Sequence, residues 1–294
     1  MPIESIIGQS VGDEQTLADS GFYWRERDGI KVLVCRALED AGFVNGFSTR
    51  LGGVSPFPEN SLNLAGFNED TAENIHENRR RFLTVFGSGL ELALAWQVHG
   101  DRIRLVHERE DIGDSDERAD AVVSDLTGVL AGVKTADCVP VLIGDPRTGA
   151  YAAVHAGWRG TVQAIATKAV GELQRAFGSD PKDLIAAIGP AAGCDNYEIG
   201  QDVIDDFRNN FGSDSDKYFT PTREGHALVD LHSANRDQLL NAGVRSTNIH
   251  IAPLCTMERP DLFFSYRLEK HTLGKTGRLL SVVGRNSTQR ELSA

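Results

Sequence analysis

The sequence predicts an α/β protein whose β-sheets mix parallel and antiparallel strands. Seven short apolar runs have the length and residue types of strands, and several are apolar at consecutive positions, which indicates sheets covered on both faces. Amphipathic stretches separate some of the runs, whereas others follow one another closely enough to form hairpins. This combination favours mixed sheets over a regular doubly wound array. The predicted strands are Ile30 to Cys35, Gly128 to Val133, Val139 to Gly144, Ala150 to His155, Leu184 to Ile188, Asn248 to Ala252 and Leu279 to Val283.

Four amphipathic stretches are predicted to be helices. Thr71 to Phe86 begins behind the capping candidate Asp70, and Thr161 to Phe177 ends at a glycine. Gln201 to Phe211 and Leu231 to Ala242 are shorter. Between the first two helices, the three strands from Val129 to His155 are predicted to form successive hairpins.

The chain is expected to form one domain with polar ends. Residues 1–27 are largely polar and poorly periodic, so a poorly structured extension is predicted there, followed by a single catalytic domain over 28–285. Residues 286–294 form a polar tail. The interior contains no internal repeat and no linker that would divide it.

Charge and hydropathy exclude several classes of function. The chain has 294 residues, 40% of them hydrophobic, and its 30 basic and 42 acidic residues give a formal net charge of −12. Nucleic acids and anionic membranes need an excess of clustered cations, so neither is an expected partner. No apolar run approaches the roughly 18 residues of a membrane span, and the N-terminus lacks a signal-peptide pattern. We expect a cytoplasmic protein that acts on a small molecule and keeps its four cysteines reduced.

Two histidines and a cysteine form the most informative pattern in the chain. Cys138 directly precedes one predicted strand, and His155 ends the next one. His99 lies upstream in Gln97-Val98-His99-Gly100. Taken singly, His99 is more often a surface residue and Cys138 an inert buried thiol, but the combination supplies three donors that suit zinc or copper and leave one coordination position open. Asp137 beside the cysteine is either a general acid or base, or the residue that orients a ligand histidine.

Two arginines are candidates for binding an anion. Arg159 follows the glycine turn after His155 at the start of a predicted helix, where backbone N–H groups and the helix dipole favour phosphate or carboxylate. Arg50 lies between a predicted strand end and a glycine-rich loop. The alternatives are a surface ion pair for Arg159 and a turn cap for Arg50.

An ordered set of motifs between Gly46 and Val283 resembles the YfiH, or laccase-domain-containing, family. The motifs are Phe47-Ser48-Thr49-Arg50, Ser61-Leu62-Asn63-Leu64, Glu77-Asn78-Arg79-Arg80-Arg81, Gln97-Val98-His99-Gly100, Ala136-Asp137-Cys138, Val154-His155-Ala156-Gly157-Trp158-Arg159-Gly160, Ile188-Gly189-Pro190 with Cys194, and Phe263-Phe264-Ser265-Tyr266-Arg267.

The resemblance implies an α-β-β-α layered single domain with mixed sheets. It also implies a zinc or copper site at His99, Cys138 and His155, which coincides with the pattern found from the residues alone. Asn63 joins the two arginines as a candidate for substrate binding. The chain departs from the family pattern between Leu268 and Lys275, where we expect a surface loop.

Members of this family have been described as polyphenol oxidases, as purine nucleoside phosphorylases with adenosine deaminase activity, and as peptidoglycan-editing amidases. A multicopper laccase needs many histidines, usually in His-x-His pairs, and this chain has eight histidines and no such pair. The leading hypothesis is a metal-dependent enzyme that cleaves adenosine, inosine, guanosine or methylthioadenosine with phosphate and also deaminates adenosine.

Two further hypotheses stay open. The first is an amidase that removes misincorporated L-serine from a muramyl peptide precursor, with Cys138 and His155 or the metal as its machinery. The second is a non-enzymatic module that binds metal or nucleotide, which a fourth ligand such as Cys194 or His232 would favour.

Overall fold

The computed structural model describes residues 14–65 and 70–286, and two six-stranded sheets form the centre of this part of the chain. The first sheet has the order β1-β2-β3-β17-β9-β6 and the second the order β16-β12-β10-β11-β8-β7. Each combines antiparallel pairs with parallel ones, β6–β9 in the first sheet and β7–β8 and β12–β16 in the second. In chain order the first sheet comprises β1 (Phe22–Arg27), β2 (Ile30–Cys35), β3 (Val44–Ser48), β6 (Glu91–Ala93), β9 (Val129–Thr135) and β17 (Leu279–Gly284). The second comprises β7 (Ile103–Val106), β8 (Ala121–Ser124), β10 (Val139–Gly144), β11 (Tyr151–Ala156), β12 (Ile185–Ile188) and β16 (Ile249–Ile251).

Helices and small hairpins surround the two sheets. The helices are α1 (Arg36–Asp40), α2 (Ala72–Thr84), α3 (Trp158–Val162), α4 (Ile165–Phe177), α5 (Gln201–Phe211), α6 (Leu231–Asn241) and α7 (Tyr266–Leu273). A three-stranded sheet contains β13 (Glu198–Gly200), β14 (Phe219–Pro221) and β15 (His226–Val229), and a two-stranded one contains β4 (Ser55–Pro56) and β5 (Glu59–Ser61). None of the helices in the described ranges combines the length and apolar character that a membrane crossing requires.

The layers follow from the alternation of side chains along each strand. On β10, Val141 and Ile143 pack in one core cluster with α4, whereas Leu142 points the other way into the core between the sheets. On the outer face of the first sheet, Val282 packs with Phe82 of α2. The order helix, sheet, sheet, helix confirms the predicted α-β-β-α fold and explains why the central strands are apolar at consecutive positions.

Two predictions about connectivity are wrong. The strands β9 and β10 do not form a hairpin, because β9 lies between β17 and β6 in the first sheet and β10 lies in the second. The three residues 136–138 therefore cross from one sheet to the other. The helix predicted from Thr161 to Phe177 is two helices, α3 and α4, separated at Ala164, which has a φ of 59°.

The predicted N-terminal extension over residues 1–27 also needs correction. Phe22–Arg27 form β1, which pairs with all six residues of β2, and Leu17 before it is buried. The folded domain therefore includes these residues. Residues 1–13 of that extension and 287–294 of the predicted tail lie outside the described ranges.

The surface loop expected between Leu268 and Lys275 is instead mostly helical. Leu268 to Leu273 belong to α7, which Ser265 caps by accepting a hydrogen bond from the backbone N–H of Leu268. The buried carboxylate of Glu269 on this helix forms an ion pair inside the protein. The segment that departs from the family pattern therefore belongs mostly to a packed helix, α7.

Candidate active site

Three side chains that can bind a metal converge at one end of the two sheets. Cys138 lies in the crossover between β9 and β10, and His155 lies on β11 opposite Pro140 of β10. His99 reaches the same place from the chain that follows β6, with a φ of 60°. One ligand atom from each side chain lies within 4.8 Å of the others, and the two imidazole rings meet edge to face with centroids 4.8 Å apart. The fold therefore assembles the predicted His-Cys-His group.

Asp120 holds this group in place, although the sequence analysis missed it. Its buried carboxylate accepts a hydrogen bond from Nδ1 of His155 at 2.8 Å, which leaves Nε2 as the nitrogen available to Cys138 or to a metal. The same carboxylate accepts from the backbone N–H groups of Val98, His99 and Gly100 at distances of 2.8 to 3.1 Å. One side chain thus fixes the ring of one histidine and the backbone of the other. The sequence did contain one sign of this role, because Asp120 is a carboxylate that directly precedes the apolar residues at the start of β8.

The surroundings of Cys138 favour its thiolate. Burial by itself raises the pKa of the thiol, but the charge of His155 and hydrogen bonds from His155 and His99 outweigh it and lower the pKa of Cys138 to about 6. Burial lowers the pKa of His155, whereas the charge of Cys138 and the hydrogen bond to Asp120 raise it to about 9. Without a metal, the two groups form a thiolate and imidazolium pair.

The three donors fit zinc or copper. Thiolate sulfur and imidazole nitrogen are ligands that both metals accept, and the low thiol pKa supplies the sulfur in its ligating form. Tetrahedral zinc separates such atoms by roughly 3.3–3.6 Å, so the spacing of up to 4.8 Å requires only a small closure of the side chains. The contact between Asp120 and His155 is the support that metal-binding histidines usually have.

The group faces a cavity of about 900 Å³ that five cationic side chains line. Arg79 forms an ion pair with Asp114 at 2.7 Å. By contrast, in the part of the chain that the structure describes, Arg159, Arg267 and Arg278 have no carboxylate within ion-pair distance. The fifth cation is Lys134.

The three arginines without carboxylate partners are held by other contacts. Arg159 stacks on the ring of Trp158 at 4.3 Å. Arg267 stacks on Tyr197 at 4.8 Å and donates to a backbone carbonyl at 2.9 Å, and Arg278 donates to two backbone carbonyls. Their guanidinium groups are therefore oriented while their charge remains available for an anion. Arg267 ends the motif Phe263-Phe264-Ser265-Tyr266-Arg267, but its local sequence context did not predict a role in the site.

The structure corrects the expectations for Arg50 and Asn63. The guanidinium of Arg50 is nearly buried, forms an ion pair with Glu269 at 2.8 Å and donates to the backbone carbonyls of Pro260 and Phe263. It does not line the cavity. The carboxamide oxygen of Asn63 accepts from the backbone N–H of Arg278 at 2.9 Å. Both residues thus support the cavity wall from behind.

Asp137 lines the cavity but does not contact the histidines. Its carboxylate accepts hydrogen bonds from Thr256 at 2.7 Å, from Ser265 at 3.0 Å and from the backbone N–H of Arg267 at 2.7 Å. Its φ of 82° belongs to the turn that crosses between the sheets. Of the two expectations for Asp137, the orienting role therefore belongs to Asp120, and Asp137 instead positions the start of α7.

His99, Cys138 and His155 together are called the metal-type group below. Neither Cys194 nor His232 belongs to it. Cys194 is exposed, and the ring of His232 contacts the backbone carbonyl of Gly189 at 3.2 Å. Within the described ranges, the group contains only His99, Cys138 and His155. A closed four-ligand site therefore has no support among these residues.

Fold and site together define an α-β-β-α protein with a three-donor metal-type group at the wall of a cationic cavity. The sequence profile of the multi-copper polyphenol oxidoreductase laccase family matches residues 44–286. The chain belongs to that family, and its YfiH-like character, predicted from the motifs, is confirmed.

Several relatives cover nearly the whole length of the chain. Purine nucleoside phosphorylase YlmD of Geobacillus stearothermophilus is 36% identical over 260 residues, which are 86% of this chain and 94% of the relative. Purine nucleoside phosphorylase YfiH of Escherichia coli is 34% identical over 264 residues, 86% of this chain and 98% of the relative. The crystal structure of YlmD from Geobacillus stearothermophilus superimposes with a TM-score of 0.81 at 35% identity, covering 89% of this chain and 97% of the other.

Proposed function

We propose that the protein is a metal-dependent purine nucleoside phosphorylase. Its substrates are adenosine, inosine, guanosine and methylthioadenosine, each cleaved with inorganic phosphate. One observation carries the proposal: the His99, Cys138 and His155 group lies at the wall of a cavity in which three arginines, Arg159, Arg267 and Arg278, have no carboxylate partner among the described residues. Relatives named purine nucleoside phosphorylase, similar along most of the chain, support the same substrate class.

The reaction requires an anion, a nucleoside and a stabilised leaving group in one cavity. An oxygen of hydrogen phosphate forms a bond to the anomeric carbon of the ribose, and the bond from that carbon to the purine nitrogen breaks. The electron pair of that bond leaves with the base, which takes up the proton that the hydrogen phosphate loses. Arg159, Arg267 and Arg278 hold and orient the phosphate, because oriented guanidinium groups bind its oxygens in pairs. Zinc or copper, when bound, supplies Lewis-acid chemistry. Asp120 keeps His155 oriented for its ligand role.

Hydrolytic deamination of adenosine is a second activity that we assign to the same site. Water adds at the six-position of the purine and ammonia leaves, a reaction that a Lewis-acid metal held by His99, Cys138 and His155 would assist. The open side of the His-Cys-His group faces the cavity that would hold the base, so one site serves both reactions.

Laccase chemistry is not proposed, in spite of the name of the family. A multicopper oxidase combines a type 1 centre with a trinuclear cluster, and together they need many histidines. Within the described residues, a single group of three donors has metal-binding geometry.

The muramyl peptide amidase remains the second candidate because of one arrangement. Cys138 contacts His155, and Asp120 orients His155 from the other side, which is the order of groups in a cysteine-dependent hydrolase. This candidate predicts release of L-serine from a UDP-muramoyl-serine substrate by metal-free protein, with loss of release in Cys138→Ser.

The decisive experiment is the phosphorolysis of inosine and adenosine by purified protein, with phosphate present or omitted and with the metal content measured on the same sample. We expect phosphate-dependent release of free base, loss of that release in His155→Ala, and a KM for phosphate about 10- to 150-fold higher in Arg159→Ala, since a charge-assisted hydrogen bond contributes about 1.5–3 kcal/mol. Cys194→Ser, at an exposed cysteine outside the group, is the matched control and should leave every constant unchanged. A zinc-loaded protein inert to every nucleoside would contradict the proposal.

A further inference from the structure

The segment from Trp96 to Gly100 forms a rigid wall of the cavity. The backbone N–H of Trp96 donates to the backbone carbonyl of Glu117 at 2.9 Å, and the carbonyl of Trp96 accepts from the backbone N–H of Ala119 at 3.1 Å. Further along, the carboxylate of Asp120 holds three successive backbone N–H groups. The backbone is therefore fixed from both ends, and the direction of each side chain is set by the fold.

Four successive residues of this segment, Trp96, Gln97, Val98 and His99, line the cavity. The carboxamide of Gln97 is held in place, because it donates to the backbone carbonyl of Lys134 at 2.7 Å and accepts from its N–H at 2.8 Å. Trp96 and Val98 line the cavity and remain 51% and 42% exposed, among the most exposed large apolar residues of the described chain. A tryptophan and a valine exposed on a rigid backbone inside a cavity are typical of a ligand surface rather than of a core.

The ring of Trp96 has no stacking partner among the described residues. Trp158, the other tryptophan of the cavity, carries the guanidinium of Arg159, and Trp24 outside it carries the ammonium group of Lys31 at 4.9 Å. Within the described ranges, no aromatic ring and no cation stacks on Trp96. Of the three tryptophans, Trp96 is therefore the one whose ring carries no described aromatic or cationic partner, and it lines the cavity.

The composition of the cavity indicates what covers this face. The same cavity contains the arginines that lack carboxylate partners, and His99 of the metal-type group follows Val98 directly. A ligand that fills the cavity therefore has a flat apolar part and either carries an anionic group or binds together with a separate anion. A nucleoside bound together with phosphate has this character, and a heteroaromatic base stacks well on an indole ring.

We infer that Trp96 and Val98 form the base-binding platform of the cavity, on which the purine ring of the substrate stacks. The inference rests on the proposed function and adds to it the position of the base next to His99. Stacking on an apolar platform does not read the edge of the base, and two hydrogen bonds to the backbone of Lys134 hold the carboxamide of Gln97 in place. The platform therefore accepts 6-oxo and 6-amino purines alike and favours purines over the smaller pyrimidines by contact area.

The test measures binding of hypoxanthine and adenine alone, by calorimetry on wild type, Trp96→Ala, Trp96→Leu and Trp96→Phe. Stacking on an aromatic side chain predicts binding about 5- to 150-fold weaker in Trp96→Ala. Trp96→Leu keeps the apolar bulk and should also bind weakly, whereas Trp96→Phe should retain most of the affinity. Trp24→Phe, on the edge strand β1, is the control and should bind as wild type does.

Kinetic constants separate this inference from the proposed function. With inosine as substrate, Trp96→Ala should raise the KM for the nucleoside and leave the KM for phosphate unchanged. Equal affinity for hypoxanthine in wild type and both Trp96→Ala and Trp96→Leu would overturn the platform, and so would a wild type that binds no purine base. A protein that binds hypoxanthine in a Trp96-dependent way but cleaves no nucleoside would refute the phosphorylase proposal and leave the platform standing.

Discussion

Replacing Asp120 with Asn tests how the His-Cys-His group is held. The wild-type carboxylate is buried and accepts from four N–H groups, those of Val98, His99, Gly100 and the ring of His155. Asparagine offers a single acceptor oxygen, so in either orientation its NH₂ group faces two of these donors. An unsatisfied buried donor costs about 1–3 kcal/mol, and the free energy of unfolding of the metal-free protein should therefore fall by about 2–6 kcal/mol. Loss of such a support also lowers metal affinity by about 10- to 100-fold.

Two assays measure these effects, urea denaturation of metal-free protein and competition for zinc with a chromophoric chelator. Asp145→Asn is the matched control, because Asp145 is also buried and accepts from backbone and hydroxyl donors, but at the opposite end of the β10–β11 hairpin. We expect both variants to lose stability and only Asp120→Asn to lose zinc affinity. If the two variants bind zinc equally well, Asp120 has a purely structural role and the reasoning is refuted.

Three further predictions concern positions away from the metal-type group. Gly53→Ala places a Cβ 2.0 Å from a backbone carbonyl oxygen and should lower the free energy of unfolding by about 3 kcal/mol. Gly171→Ala, in open space on α4, should instead raise the free energy of unfolding by about 0.5–1 kcal/mol. Equal effects of the two variants in urea denaturation would contradict the packing seen at Gly53. Arg50→Met leaves the carboxylate of Glu269 buried without its cation and should cost about 3–5 kcal/mol with an unchanged KM for phosphate; a selective rise of that KM would return Arg50 to the substrate site. Burial raises the pKa of Asp145, but hydrogen bonds from hydroxyl and amide groups lower it overall, so its stabilisation is complete above the unfolded pKa of about 4 and is lost as the pH falls through the lower folded value. The stability difference between wild type and Asp145→Asn, measured in urea across pH, should accordingly be constant near neutrality and shrink under acid; a constant difference throughout would be inconsistent with this account.

Local patterns in the sequence were sufficient for part of the fold. The apolar runs located β10 and β11 within a residue or two, and the motifs around Cys138 and His155 identified the donors that the hairpin brings together. These features depend on residues that are near neighbours in the chain or on adjacent strands. Periodicity and spacing therefore carry the information.

Features that depend on distant partners could not be predicted in this way. The sheet to which β9 belongs is decided by its pairing with β17, which lies some 150 positions further along the chain. Arg50 has the sequence context of an anion-binding residue, but its partner Glu269 sits in a helix that was expected to be a loop. The break at Ala164 arises from the positive φ of that residue, and the continuous apolar stripe around it gives no sign of the break. In each case tertiary contacts override the local signal.

The position of the cavity follows from the crossover between the sheets. Leu279 at the start of β17 pairs with Thr135 at the end of β9, so Arg278 lies beside the point where the chain leaves the first sheet. Cys138 lies three residues after Thr135, directly before the chain enters the second sheet as β10. Two donors of the metal-type group, Cys138 and His155, thus adjoin the second sheet, whereas Arg278 directly precedes a strand of the first. The packed core between the sheets helps to set the distance between them, so under the proposed function that core determines whether phosphate and metal can act on one substrate.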